Sequence, residues 1–435
     1  LIDVNIFLKT STLHESFVFI EKTAMTSLLK IQEPSSLQPQ HRPSLKAFLE
    51  LGFRPLYLCG ALWAIVAVSL WVFAPFLLQG VAAGVFWHAH EMFWGFIAAI
   101  TVGFLLTATN NWTGLNPLQG PALGGLVLLW SVARIGFLLP GTTAFGIASI
   151  ADMLFLSVAA LAIGRCLFAR QSRHNYILVV LLLGMAAANA AYLYACWKQL
   201  EYVIVMHYFF TGMLCMSVIA LLIARRVIPF FASRALPQLT LNRHTRSGQW
   251  QAALAALGIL TWSFGFNQLA TLFLAAAGLI TLWHVIAWKP WSVMGTPLLW
   301  ILYLGYIGLG LGLWVAATYA MGWTSRLSWP IHMLGMAGFG ALIIGMITRT
   351  ALGHTGRALV ADFSMVCSYG LVAFAIVLRL TALSVSTHPL PWLHASALCW
   401  ILAFALYLWR FVPWLVRPRA DQRSGKPIPI QRPLH

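Results

Sequence analysis

The chain has 435 residues, of which 60 % are hydrophobic and only 9 % charged. A soluble protein of this length cannot hide so much apolar surface, which leaves a polytopic helical membrane protein whose helix exteriors are solvated by lipid. The formal charge of +17 belongs to topology rather than to nucleic-acid binding, because the arginines fall in short loops and tails where the positive-inside rule acts.

Taken in order, the chain opens on a stretch that fits nothing after it. Residues 1–24 show no signal-peptide pattern and Met25 begins a more ordinary leader, so 1–24 are expected to come from an over-called start. The whole of 1–44 reads as a poorly ordered leader, with a polar, proline-containing linker from Pro34 to Lys46. From Gly52 onward, apolar runs alternate with short breaks, each run near the ~20 residues needed to cross the hydrocarbon. Twelve spans are expected, at about 56–78, 88–109, 120–139, 143–164, 175–196, 202–224, 249–265, 268–288, 297–320, 329–348, 361–382 and 391–412. The division within 249–288 rests on a turn at Phe264-Gly265-Phe266-Asn267-Gln268. Residues 416–435 form a basic tail.

The charges test that count. With the N-terminus inside, 23 of the 27 lysines and arginines fall on the inner side, and only Arg134, Lys198, Arg326 and Arg379 fall outside. The expected fold is therefore an all-α bundle of about twelve transmembrane helices with both termini cytoplasmic. Every loop is too short for a domain, so function resides in or beside the membrane. The six cysteines lie mostly in apolar runs and form no CxxC, which reads as small buried residues rather than a disulfide framework.

This topology turns the histidines into a layer. His88 and His90 open span 2, and His207, His332 and His394 lie a few residues into spans 6, 10 and 12. All four spans run inward, so all five imidazoles sit within roughly 8 Å of the outer boundary at 1.5 Å per residue. Singly, each reads as an interfacial, hydrogen-bonded histidine; together they suggest a shared metal or haem site. On a regular helix His88 and His90 point about 200° apart and cannot both face one ion. Glu91 is placed to orient the His88 ring, or simply to sit near a helix N-terminus. Arg134 and Asp152 read as a mutual ion pair, the alternative being that Arg134 and Arg379 receive haem propionates. A weak echo links His90…Thr113-Gly114 to His332…Thr355-Gly356, with Gly103 matching Gly345.

At this point a pattern emerges. Gly52-Phe53-Arg54-Pro55-Leu56, Trp87-His88-Ala89-His90-Glu91-Met92, Gly103-Phe104-Leu105-Leu106-Thr107-Ala108 and Asn111-Trp112-Thr113-Gly114 resemble the NnrS family. So do His332-Met333-Leu334, Thr348-Arg349 and Leu352-Gly353-His354-Thr355-Gly356-Arg357. The resemblance covers about residues 45–415. It implies a bacterial inner-membrane protein of twelve spans that contains haem and copper. It also implies a role in nitric oxide metabolism and denitrification, and protection from nitrosative stress, by a reaction that is not settled. Under that resemblance haem is expected between His90 and His332, and copper near His88, His207 and His394. The expected partners are membrane lipid and nitric oxide. Two alternatives stay open: a redox enzyme like the haem–copper oxidases, acting on nitric oxide or dioxygen, and a twelve-span transporter. The basic segment from Arg349 to Arg357 either holds an anion or is a tight, positively charged turn.

Overall fold

In lipid a backbone amide has no water to bond, so an apolar run of sufficient length closes its hydrogen bonds within a helix. The computed structural model describes residues 42–241, 244–385 and 387–421, and among these every regular element is helical. Besides a short helix at Leu45–Phe48 and three 3-10 turns, twelve long helices follow one another among the described residues: α1 Phe53–Phe73, α2 Val85–Thr113, α3 Pro121–Gly136, α4 Thr142–Ala169, α5 Tyr176–Trp197 and α6 Tyr202–Ala235. The second half comprises α7 Thr245–Ser263, α8 Asn267–Ala287, α9 Pro297–Ala320, α10 Ser328–His354, α11 Phe363–Ser384 and α12 Pro389–Leu415. Ten of them are long and apolar enough to cross a membrane. The other two are α3, of 16 residues, and α7, of 19 residues, which stand where the third and seventh spans are expected. The turn placed between 249 and 288 is found, with Gly265 at φ +78 in the left-handed region that glycine enters freely.

Sequential neighbours pack together around the bundle, and α12 returns to pack on α1. The most enclosed helix is α2, with 89 % of its most apolar stretch buried. It is the central post. The two ends of the membrane unit meet: Ser44 N–H donates to Val416 C=O at 2.9 Å, and Arg54 donates through Nη1 to the Leu415 and Arg417 carbonyls at 3.0 and 2.6 Å. Those carbonyls sit at the end of α12, where they have no intrahelical partner and attract a cation. The chain therefore enters and leaves the unit Pro43–Asp421 on one face. The leader at 1–41 and the tail from 422 lie outside the described residues.

Two helices share an irregularity. After His90, α2 turns π-helical over Glu91–Ile97, and Ala98 N–H bonds to Phe93 C=O, five residues back. After His332, α10 does the same over Met333–Gly340, with Ala341 N–H reaching Met336 C=O. Both helices then resume α geometry and end near a left-handed glycine, Gly114 at φ +70 and Gly356 at φ +72. The echo seen in the sequence is thus a repeated local structure. Such π segments are rare and frequently fall at functional sites.

Close approach of α9 and α10 depends on Gly308, where a Cβ would collide with the Ala337 carbonyl. Small residues let membrane helices come this near. Gly308→Val is expected to destabilise the bundle by about 1–3 kcal/mol, as overpacking does, read as a lower unfolding midpoint in detergent. At the N-terminus of α11, Asp362 accepts from Met365 N–H at 3.1 Å, Ser364 Oγ at 2.6 Å and Arg410 Nε at 2.6 Å. Burial pushes its carboxyl up, but these hydrogen bonds and the Arg410 charge outweigh it and hold the group below the usual carboxylate range. A carboxylate so depressed stabilises the fold above its ordinary titration range and ceases to do so as pH falls through the lowered value. The gap in unfolding midpoint between wild type and Asp362→Asn should therefore narrow as pH is lowered from about 7 to about 3.

Candidate functional site

The π segment of α2 divides its first turns into two faces with different chemistry. One face is clamped by polar contacts. His90 is 2 % exposed, Glu91 0 %, Arg134 1 % and Asp152 1 %, and these four form a connected cluster across α2, α3 and α4. His90 Nδ1 lies 2.8 Å from Glu91 Oε1, and His90 Nε2 lies 3.0 Å from Asn189 Oδ1 and 3.4 Å from Asp152 Oδ2. Arg134 donates to Asp152 Oδ1 and reaches Glu91 Oε2 at 3.4 Å. Asn189, on α5, donates Nδ2 to Asp152 Oδ2 at 2.6 Å, which fixes its carbonyl oxygen toward His90.

The hydrogen-bond geometry favours a protonated ring at His90. Both ring nitrogens of His90 face oxygen acceptors, and only an imidazolium donates from both. With that proton the cluster holds two positive and two negative groups and is neutral, the acceptable state for buried charge. Further bonds fix the same face: Tyr192 Oη donates to Phe86 C=O at 2.6 Å, Trp94 Nε1 to Met185 C=O at 3.3 Å, and Trp130 Nε1 to Gly95 C=O at 2.8 Å. The last satisfies a carbonyl within the π turn, and the lack of a Cβ on Gly95 leaves room for Trp63 and Arg134 to pack against it.

The other face opens into a cavity. It gathers the first turns of α2, α6, α10 and α12 with the last turns of α1 and α11, as expected for helices that start at one end of the bundle. It encloses about 140 Å³ of void and, with its mouth counted, about 1000 Å³ of space free of protein atoms. His88, His332 and Arg379 supply its basic lining, and Met92, Met206, Met213 and Met336 contribute thioethers. His88 stacks on Trp71, centroids 5.0 Å apart and planes 9° apart. Its Nδ1 is buried without a hydrogen-bond partner. His332 Nδ1 donates to Ser328 C=O at 2.8 Å, so the tautomer is fixed and Nε2 keeps a free lone pair. Arg379 makes no ion pair or side-chain hydrogen bond among the described residues.

The cavity therefore joins His88 to His332, not His90 to His332. His90 is turned away into the charged cluster, and with both nitrogens engaged it has no lone pair for a metal. Glu91 orients His90 rather than His88. Arg134 is committed to two carboxylates, in line with its reading as an ion pair with Asp152 and leaving nothing for a propionate; Arg379 is uncommitted. His207 stacks on Trp262 of α7 at 5.1 Å, and His394 is exposed beside Phe73. Neither lines the cavity. Among the described residues no three His, Cys, Asp or Glu side chains are grouped to hold a metal ion. Asn189 was missed, although a lone amide in an apolar run was its signal. Of the four methionines, Met336 is legible on the face of His332, whereas Met92, Met206 and Met213 read as packing within apolar helices.

An all-helical, multi-pass membrane protein with a buried charge cluster beside an imidazole-lined cavity is the class these features define. The chain belongs to the NnrS family: the family model described as NnrS protein matches residues 47–419. That membership makes it a membrane protein of the nitric oxide response. No curated protein matches the chain.

The protonated His90 has a measurable consequence. Nitrogen NMR of ring-labelled protein should show both His90 nitrogens protonated at neutral pH. His90→Ala leaves a net negative buried cluster and is expected to cost about 3–5 kcal/mol, as for other broken buried pairs, read as loss of folded protein on extraction.

Proposed function

We propose that the protein is a twelve-span inner-membrane protein with both termini cytoplasmic that binds haem and copper and limits nitrosative damage by handling nitric oxide. The meeting of Ser44 with Val416 supports an even number of crossings, and α3 and α7 supply the two crossings beyond the ten. The inward bias of the arginines then puts the cavity near the outer face.

The observation that carries the cofactor reading is the donor set at the cavity. His88 and His332, from two helices, each keep a ring nitrogen without a protein partner, four methionine thioethers share the same lining, and such N and S donors suit copper. The enclosed void is similar to the ~150 Å³ that accepts a benzene, so an ion fits it as it stands. For a macrocycle, which needs the larger space that includes the mouth, either imidazole would hold the iron and Arg379 would pair with an anionic substituent. Bound there, the metal would supply an electron-rich centre to which nitric oxide can coordinate. The chain's own work is to hold the two rings: Ser328 fixes the His332 tautomer, Trp71 stacks the His88 ring, and the charged cluster holds α2 from behind. The oxidase-like and transport alternatives lack an observation of this kind.

Haem absorbance and copper content of purified protein test the reading. His88→Ala and His332→Ala are expected to lose most of one or both cofactors, whereas His207→Ala and His394→Ala keep them. A colourless, metal-free preparation that still protects cells from nitric oxide would overturn it, as would retention of both cofactors in the His88→Ala/His332→Ala double variant.

A further inference from the structure

A second cavity lies one helical turn deeper along the same three helices. Where Phe96 and Ile97 line the outer cavity, Ile100 and Thr101 line the inner one; Met213 gives way to Met216, and Met336 to Phe339. One turn is about 5.4 Å of rise, so on α2, α6 and α10 alike a single layer of side chains divides the two spaces. Two of the dividing residues are methionines, Met213 and Met216, whose unbranched side chains rearrange easily.

The inner cavity encloses about 80 Å³ of void. Its lining is apolar except for Tyr57 and Thr101, and the Thr101 hydroxyl is spent on Ile97 C=O at 2.8 Å. A void without two to four polar partners does not hold water, whereas an apolar void of this kind takes xenon or a small hydrocarbon. The Tyr57 hydroxyl, buried without a hydrogen-bond partner, is the one unspent polar group on the lining, fewer than the two to four that a water needs. Two lining residues well inside the spans, Phe104 and Met346, are half-buried, so the space is not sealed from the helix exteriors that lipid would cover. No charged side chain lines it.

We propose that the inner cavity is the lipid-side passage by which a small, uncharged, apolar gas molecule reaches the His88–His332 cavity. The proposal rests on the reading of that outer cavity as a nitric oxide site. Such a molecule concentrates in hydrocarbon rather than in water, so entry from the membrane core exploits the larger pool. The passage needs no hydrogen bonds, only transient displacement of Met213 and Met216. Small uncharged gases pass, while water and ions are excluded by the same apolar lining.

Crystals pressurised with xenon test the void directly, with or without cofactor. Wild type is expected to show one xenon in each cavity. Ala220→Phe, or the milder Ala220→Leu should the former fail to fold, is expected to remove the inner xenon and retain the outer. In cofactor-loaded protein the same substitution should slow nitric oxide association several-fold and leave its equilibrium affinity unchanged. Absence of xenon from the inner cavity, an acyl chain lodged there, or an unchanged association rate in Ala220→Phe overturns the passage and leaves the haem and copper assignment standing. Xenon in both cavities of a protein that never holds haem or copper overturns the proposed function while supporting the void as a gas site.

Discussion

Charge buried in a membrane must be balanced, and here the balance fixes the position of the central helix. Two carboxylates, one guanidinium and one imidazolium meet behind the start of α2, drawn from α2, α3 and α4 and braced by Asn189 of α5. Breaking such a cluster leaves an unpaired charge, which costs far more than the cluster itself contributes. Its value is positional. The polar contacts fall on the side of α2 away from the cavity, so they hold the helix without consuming His88. A central post gripped from behind can present an imidazole to open space and keep it still.

Separation of roles between adjacent histidines follows from this arrangement. His90 is saturated by oxygen acceptors and serves the fold; His88, two residues earlier, has a buried nitrogen with no partner and serves the cavity. His332 is the intermediate case, with one nitrogen held by a backbone carbonyl and the other free. Three histidines of one residue type thus have three states of commitment, and commitment decides which can take a ligand.

The helical class, the helix order and the turn at Gly265 were legible because apolar length and turn chemistry are local properties of the chain. The gathering of helix starts at one end was legible for the same reason, since alternation fixes direction. Side-chain direction was not. An ideal helix places His88 and His90 on opposite sides, which is what is found, but it cannot say which side holds the cavity. Depth in the membrane grouped His207 and His394 with the others, yet depth says nothing about rotation, and both face outward or toward a neighbouring tryptophan. Glu91 was assigned to His88 by regular-helix spacing. The π turn that begins at Glu91 left no signature in composition, and spacing along one helix could not show that Arg134 and Asp152 of α3 and α4 draw His90 and Glu91 into one cluster.

The paired π turns have an evolutionary reading. A π turn behaves as a helix that has accepted one extra residue without lengthening the element on either side. Everything before the extra residue is rotated by about 100° relative to everything after it. In α2 and α10 the histidines precede the π turn and the long packed segments follow it. The aim of the imidazoles and the packing of the lower bundle can therefore drift independently, because the register between them is stored in a residue count. In such a scaffold a ligand site can be re-aimed by inserting or deleting a single codon.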